Sequence, residues 1–192
     1  MNLITNRCLG GYIYRDILKE QYENPFIWTG IWDQYFNKLF SEYGKINFNN
    51  FSVEHDPEER IEKYFIIIDN KIRVNYGHVL LDPKASTPVP RDVNIYTADP
   101  VGYLRQKYKE RLSRMTKEPV WIYLDLDFTH NYEIAEIAKK QKRKIGILTV
   151  DKDFPRNDYT NNQLVVHQDW KKVQWWKYLQ ANHLKEVNAL LK

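Results

Sequence analysis

The segment Asn2-Leu-Ile-Thr-Asn-Arg-Cys-Leu-Gly-Gly-Tyr-Ile-Tyr14 is the part of the chain from which the fold class is inferred first. The apolar residues Leu3 and Ile4 predict a short buried strand over residues 2–6. A glycine pair follows, and apolar side chains at helical spacing then predict a helix over 10–22. A strand that leads directly into a helix is typical of α/β folds, whose ligands bind just beyond the carboxyl end of a strand.

Strands and helices alternate through the second half of the chain. The predicted strands lie at 93–96, 120–124, 145–150 and 164–167, and the predicted helices at 99–114, 131–142 and 172–191. Short links between such elements favour a parallel sheet with helices on its faces. An earlier predicted helix over 32–43 precedes a β-rich insert at about 45–80, which contains a hairpin with an Asp69-Asn70 turn. We therefore expect a single α/β domain over 1–192 with a Rossmann-like, mostly parallel sheet.

Composition excludes several classes of protein. With 192 residues, of which 43% are hydrophobic, the chain is long enough for one domain with its own core. Its single cysteine excludes an internal disulfide and a cysteine-based zinc site. The net charge of +4 is mild, and we expect no nucleic-acid partner. No signal peptide and no apolar run near the ~20 residues of a membrane span is present, so we expect a cytoplasmic protein.

The loop from Asn6 to Gly11 is the first candidate site. Backbone amides at the start of a helix bind anions, and Gly10 and Gly11 would let a ligand approach the backbone closely. The positive end of a helix also favours the thiolate form of a cysteine, which makes Cys8 a candidate nucleophile. The alternative is a tight turn with a small buried cysteine. The glycine spacing matches neither a dinucleotide-binding fingerprint nor a P-loop.

Two carboxylates at the end of a predicted strand form the second candidate site. Asp125 and Asp127 are two residues apart, so both side chains would lie on the same side of the strand. Such a pair can hold a divalent cation, which in turn can bind a diphosphate. Asp127 is also a candidate general base. The alternative is that one aspartate caps the next helix while the other is solvated.

Two further segments carry charges suited to ligands or surfaces. Arg111 and Arg114 are three residues apart on a predicted helix and would present a common face to phosphate or carboxylate, unless that face is only solvated. The segment Asp169–Tyr178 alternates tryptophan and lysine, which is typical of contact with a membrane surface or an assembly complex. A core-facing helix whose lysines extend to solvent is the alternative. The loop 151–158 follows another predicted strand and is placed to form the rim of a site.

Three motifs together resemble a bacterial family of unknown function whose members are often labelled exopolysaccharide biosynthesis proteins. They are Ile4-Thr-Asn-Arg-Cys-Leu-Gly-Gly-Tyr-Ile-Tyr14, Asn24-Pro-Phe26 and Tyr108-Lys-Glu-Arg-Leu-Ser-Arg114. The resemblance implies a Rossmann-like domain with a small β insert and a role in assembling capsule, lipopolysaccharide or exopolysaccharide. By matching position, it implies site-lining or fold-defining roles for Asn6, Cys8, Gly10, Gly11, Asn24, Pro25, Arg111 and Arg114. Members have a histidine before the arginine helix, where this chain has Tyr96-Thr-Ala-Asp99.

These features lead us to expect a cytoplasmic protein of surface-polysaccharide biosynthesis, peripheral to the inner membrane if its C-terminal helix binds there. The expected activity is that of a transferase acting on a sugar or on a phosphorylated or nucleotide-activated donor, with a divalent cation as the candidate cofactor. Cys8 and Asp127 are the candidate catalytic residues. The candidate ligand-binding residues are Asn6, Gly10, Gly11, Asn24, Arg111 and Arg114. The alternatives are a non-catalytic scaffold of an assembly complex and a hydrolase that uses Cys8.

Overall fold

Two β-sheets and their surrounding helices make up the described part of the chain. The computed structural model describes residues 2–7, 9–13, 24–27, 29–56, 64–76, 99–115, 119–125, 132–166 and 175–191. The strands are β1 (Leu3–Thr5), β2 (Gly30–Ile31), β3 (Phe51–His55), β4 (Tyr64–Ile68), β5 (Ile72–Asn75), β6 (Val120–Asp125), β7 (Gly146–Thr149) and β8 (Gln163–Val165). The helices are α1 (Leu9–Tyr12), α2 (Asp33–Glu42), α3 (Pro100–Leu112), α4 (Glu133–Gln141), α5 (Trp175–Asn182) and α6 (Leu184–Leu190).

The first sheet is parallel, with the strand order β1-β6-β7-β8. Its register pairs Ile4 with Trp121 and Leu124 with Leu148, and every neighbouring pair of strands is parallel. The strands are almost continuously apolar because both faces of the sheet are covered. The structure thus confirms the predicted α/β fold with a parallel sheet.

Side chains that alternate along the strands divide the core between the two faces of the parallel sheet. On one face the Trp121 ring contacts Phe36 and Phe40 of α2, with ring centroids 5.8 and 4.9 Å away. This cluster also contains residues of α3, α4 and the second sheet. On the other face Ile122 belongs to a cluster that includes Leu190 of α6. Helix α2 is therefore central, since its cluster joins both sheets.

Helix α3 begins where the sequence predicts. The Asp99 side chain accepts a hydrogen bond of 2.8 Å from the Gly102 amide, and Pro100 occupies the first turn, where a missing N–H costs nothing. Helix α4 ends at Gln141, because Lys142 adopts a left-handed conformation with φ of 51°. Both helices match their predicted positions to within two residues.

The second sheet is antiparallel, with the strand order β2-β5-β4-β3. Its β4–β5 hairpin turns at Asp69 and Asn70, whose φ angles of 52° and 53° suit a tight turn between twisted strands. The predicted hairpin is therefore confirmed. The sheet also includes Gly30, which pairs with Asn75 and lies before the predicted 45–80 segment. The extent of the insert and the single domain over 1–192 stay predictions.

Three elements differ from expectation or lie beyond the described residues. The helix predicted over 172–191 is divided into α5 and α6, because His183 leaves helical geometry with φ of −135°. Of the helix predicted over 10–22, the structure describes only the part up to residue 13, and the predicted strand at 93–96 falls outside the described residues.

No helix in the described ranges combines the length and apolar character needed to cross a membrane.

Candidate functional site

The candidate site lies at the carboxyl edge of the parallel sheet. Because β1, β6, β7 and β8 run in the same direction, the residues that follow each strand collect at one edge. In open α/β sheets, ligands bind outside the carboxyl ends of the strands where the strand order reverses; the described order has no reversal, so the candidate site depends on the side chains found at these ends. We use the name carboxyl edge for the described residues at the ends of β1, β6 and β7 and directly after them, together with the first turns of α2 and α4.

Asn6 fastens β1 to β6 at this edge. Its Oδ1 accepts a 2.8 Å hydrogen bond from the Leu124 amide, and its Nδ2 donates to the Leu124 carbonyl at 3.0 Å. The same Nδ2 donates to Asp33 Oδ1 at 3.1 Å, which brings the start of α2 to the carboxyl edge. The Asn6 side chain is fully buried. The side-chain amide of Asn6 thus holds β1, β6 and α2 together. These bonds give no support to its predicted role in ligand binding.

Gly10 allows α1 to pack closely against β1. The Gly10 amide donates to Thr5 Oγ1 at 3.2 Å, so this amide is not open to an anion. A Cβ atom on Gly10 would lie 3.2 Å from Ile27 Cδ1 and 3.3 Å from Thr5 Oγ1. Protein atoms therefore occupy the space in which the sequence predicts a ligand. Gly11 is buried as well, whereas Cys8 lies outside the described residues.

Asn24 has a structural role of a similar kind. Its Nδ2 donates to the Leu3 carbonyl at 2.7 Å, and its Oδ1 accepts from the Phe26 amide at 2.8 Å. These bonds hold the Pro25–Ile27 turn against β1. Of the two roles that the family resemblance implies, the fold-defining one is the role that Asn24 plays in the structure.

The two arginines of α3 and its following turn do not share an environment. Arg111 is only 5% exposed and donates to the Ile27 carbonyl at 2.7 Å. It also hydrogen-bonds to the Tyr76 hydroxyl, which in turn donates to the Pro25 carbonyl. Arg114 is exposed beyond the end of α3. The expectation of a common phosphate-binding face is corrected here, because Arg111 is directed into the protein.

A chain of hydrogen bonds links the carboxyl ends of β6 and β7. Asp125 is 1% exposed, and its Oδ2 accepts a 3.0 Å bond from Thr149 Oγ1, on the residue that pairs with it across the sheet. Thr149 Oγ1 also accepts from the Asp151 amide at 2.9 Å. Asp151 in turn accepts bonds from the Tyr132 hydroxyl and from the Asp153 amide. The edge thus combines three carboxylates with two hydroxyls.

The pKa of Tyr132 reports the electrostatic character of the edge. It is raised to about 12, first by the hydrogen bond to Asp151, then by burial, and then by the negative charges of Asp151, Asp125 and Asp153. All three carboxylates are therefore near enough to disfavour a tyrosinate at this position. The edge favours neutral or cationic ligand groups over bare anions.

Two exposed aromatic residues directly precede the helices that begin at the carboxyl edge. Trp32 and Tyr132, 42% and 37% exposed, directly precede α2 and α4. A 2.8 Å hydrogen bond from Asn37 Nδ2, in the middle of α2, to Glu133 Oε2, at the start of α4, joins the two helices. Trp32 is held in place by a stacked contact with Tyr35, with ring centroids 6.1 Å apart. The Tyr132 ring lies beside the Asp151 carboxylate, whereas the Trp32 ring also lies 5.5 Å from the guanidinium of Arg73 in the antiparallel sheet.

The predicted metal pair can be followed at one of its two positions. Asp125 is at the edge, whereas Asp127, the candidate base, lies outside the described residues. In the described ranges, no group of three or more histidine, cysteine, aspartate or glutamate side chains is arranged to hold a metal ion. The metal site therefore stays a prediction that depends on Asp127.

The chain matches no family model, no curated protein and no solved structure. The resemblance to the exopolysaccharide family therefore stays a prediction. What can be said of function depends on the geometry of the carboxyl edge.

Sequence reasoning missed several residues of this edge. Thr149 and Tyr132 carry no recognisable motif, and Asp33 appears in the sequence only as the start of a helix. The one available signal was the position of the loop 151–158 directly after a predicted strand, and Asp151 lies in that loop. The tryptophans at the start of α5 offer no test of the predicted docking surface, since their side chains are outside the described part.

Proposed function

We propose that the chain binds a sugar at the carboxyl edge and acts as a transferase in bacterial surface-polysaccharide biosynthesis. The observation that carries the site is the convergence of Asp125, Thr149, Asp151 and Tyr132 at the ends of β6 and β7. The family resemblance supplies the biological setting. We also propose that the parallel sheet belongs to a Rossmann-like arrangement. The described strand order has no reversal of the kind that forms a dinucleotide site, so a dinucleotide is not the proposed ligand.

The chemistry of the edge suits a sugar. Sugar hydroxyls donate hydrogen bonds to carboxylates, and the C–H face of a sugar ring packs on an aromatic ring. Asp151 supplies a partly exposed carboxylate, and Trp32 and Tyr132 supply exposed rings. Trp32 also contacts Phe65 edge-to-face at 6.1 Å between centroids, so its ring is already fixed before a ligand binds. A prearranged ring loses less conformational freedom on binding.

Asp151 is the described residue best placed to act as a general base. In the proposed transfer, the acceptor hydroxyl loses its proton to Asp151 while its oxygen attacks the anomeric carbon of the donor. The leaving group departs with the electrons of the bond that breaks. The Tyr132 hydroxyl and the Asp153 amide, which both donate to Asp151, hold its carboxylate in place. Cys8 and Asp127 remain proposed participants, and a divalent cation would neutralise a phosphorylated leaving group.

A ligand-dependent thermal shift tests this proposal. A nucleotide sugar at about one hundred times its Kd stabilises a native protein by about 2.7 kcal/mol, which raises the Tm of a chain of this size by about 5–10 °C. We expect such a shift for at least one member of a nucleotide-sugar panel measured with and without Mg²⁺. Asp151→Asn and Trp32→Ala should each remove most of it.

Asp158→Asn is the matched control, because Asp158 is an exposed aspartate at the far end of the same loop. This variant should retain the full shift. The proposal fails if no sugar ligand shifts the Tm, or if Asp158→Asn and Asp151→Asn reduce the shift equally.

A further inference from the structure

The opposite edge of the parallel sheet carries a dense group of positive charges. Five of the six residues from 139 to 144 are basic. They surround the end of α4 and the approach to β7, so they lie at the amino end of the strands. We use the name lysine edge for Lys139, Lys140, Lys142 and Lys144. The candidate sugar site lies at the other end of the same sheet.

The four lysines of this edge extend to solvent. All are exposed, and none forms an ion pair with any residue in the described ranges. Arg143 behaves differently: it donates to the Phe40 carbonyl, and its guanidinium lies 5.3 Å from the centroid of the Phe40 ring. The arginine thus anchors the segment to α2, while the lysines are available to a partner.

The backbone at Lys142 gives a second reason to regard these charges as functional. Lys142 has φ of 51° and ψ of 40°, a conformation that glycine or asparagine adopts with less strain. Its amide hydrogen-bonds to the carbonyls of Ala138 and Lys139, so the conformation is needed to end the helix. A lysine at this position disfavours the local fold, and its charge is what it contributes.

We propose that the lysine edge docks on a membrane surface that contains anionic phospholipid. Clusters of four to eight adjacent lysines and arginines bind such surfaces through their charge. The carboxylates gathered at the carboxyl edge are repelled by the same surface, so the separation of charge orients the molecule. The candidate sugar site then faces away from the lipid.

The composition of the edge favours lipid over nucleic acid. Proteins that bind single-stranded nucleic acid combine a basic groove with aromatic rings on which the bases stack. The guanidinium of Arg143 is already bound to protein atoms. The exposed large aromatic residues in the described part, Trp32 and Tyr132, belong to the carboxyl edge. An array of flexible lysines without such rings suits a plane of lipid headgroups.

Vesicle sedimentation tests the proposal on the full chain without any sugar ligand. We expect binding to phosphatidylcholine vesicles that contain about one third phosphatidylglycerol, and none to phosphatidylcholine alone. Changing all four lysines of the edge to glutamine should lower the partition coefficient at least about a hundredfold. Raising the salt to about 0.5 M should release the wild-type protein.

The matched control changes Arg105, Lys109, Arg114 and Lys152 to glutamine, which removes the same charge from other exposed positions. This variant should bind within about threefold of wild type. A second variant, Lys140→Glu with Lys144→Glu, leaves the left-handed position untouched and should also lose binding. Far-UV circular dichroism verifies that each variant folds.

Three results would overturn the proposal. The first is wild-type protein that does not distinguish the two kinds of vesicle. The second is equal loss of binding in the lysine-edge variants and the control variant. The third is binding to duplex or single-stranded nucleic acid in the absence of vesicle binding. None of these results bears on the sugar site, whose test is a separate thermal shift.

Discussion

A single buried residue, Asn6, connects four elements of the fold. The side chain bonds to both backbone groups of Leu124 and to Asp33, and the Asn6 carbonyl accepts from the Ile31 amide at 3.0 Å. Asn6 therefore joins β1, β6, α2 and β2. A residue in the predicted ligand loop turns out to organise the sheet edge on which a ligand would bind.

Replacing Asn6 by alanine should destabilise the protein by about 2–4 kcal/mol, because the buried amide and carbonyl of Leu124 lose their partners. Urea denaturation followed by tryptophan fluorescence measures this change. Asn161→Ala is the control, since Asn161 is exposed, and it should change the stability by less than about 0.5 kcal/mol. Equal effects of the two substitutions would contradict the role given to Asn6.

At the scale of elements, the segments that follow β6 and β7 are coupled through Tyr132 and Asp151. Tyr132 directly precedes α4, and Asp151 begins the loop after β7. Their hydrogen bond joins the start of α4 to the segment that follows β7. The bond persists only while the tyrosine keeps its proton, so the coupling depends on pH.

The contribution of this bond to stability should vanish in alkali. The pKa of Tyr132 is about 12 in the folded chain and about 10 in an unfolded one, so the bond stabilises fully below pH 10 and is lost as the pH rises toward 12. The difference in unfolding free energy between wild type and Tyr132→Phe should therefore be constant below pH 10 and shrink above it. Denaturation curves at several pH values measure it.

Asp151→Asn provides the complementary test, because it removes the charged acceptor that raises the pKa of Tyr132. The tyrosinate absorbance of this variant, with Tyr132→Phe subtracted in the same background, should show Tyr132 ionising closer to pH 10. Asp158→Asn should leave the titration of Tyr132 unchanged. A Tyr132 that titrates at the same pH in all three backgrounds would refute the coupling.

At the scale of the whole molecule, Arg111 ties the antiparallel sheet to the parallel one. Helix α3 packs on β3, where the Tyr108 and Phe51 rings lie 4.4 Å apart between centroids. From the same helix, Arg111 reaches the Ile27 carbonyl, and Ile27 lies in the core on the far face of the parallel sheet. The buried guanidinium hydrogen-bonds to a carbonyl and to a hydroxyl group. Because hydrogen bonds depend on direction, these bonds fix how the two sheets are connected.

Arg111→Met should lower the unfolding free energy by about 2–4 kcal/mol, because the buried Ile27 carbonyl loses its donor. Arg114→Met, three residues away on the surface, should change it by less than about 0.5 kcal/mol. Chemical denaturation of both variants makes the comparison. If Arg111 served mainly to bind phosphate, its removal would leave stability intact and weaken only ligand binding, which is the opposite of our expectation.

Helix starts and turns, which depend on residues close together in the sequence, were predictable. The start of α3 follows from Asp99-Pro100, and the β4–β5 hairpin follows from Asp69-Asn70, because caps and turns are formed by residues a few positions apart. The apolar runs likewise predicted β1, β6 and β7 correctly. The break at His183 was not predictable from spacing, since the apolar pattern continues across it.

The sequence by itself determined the order of the elements and the parallel sheet, because periodicity and turn chemistry are local properties. Only the tertiary structure decided the roles of the polar residues. Asn6 meets Leu124 across 118 positions, and Arg111 meets Ile27 across 84. Contacts of that range bury two predicted ligand-binding side chains and bring Tyr132, Thr149 and Asp151 together. The burial of a side chain and its hydrogen-bond partners are properties of the packed chain, and no local sequence pattern encodes them.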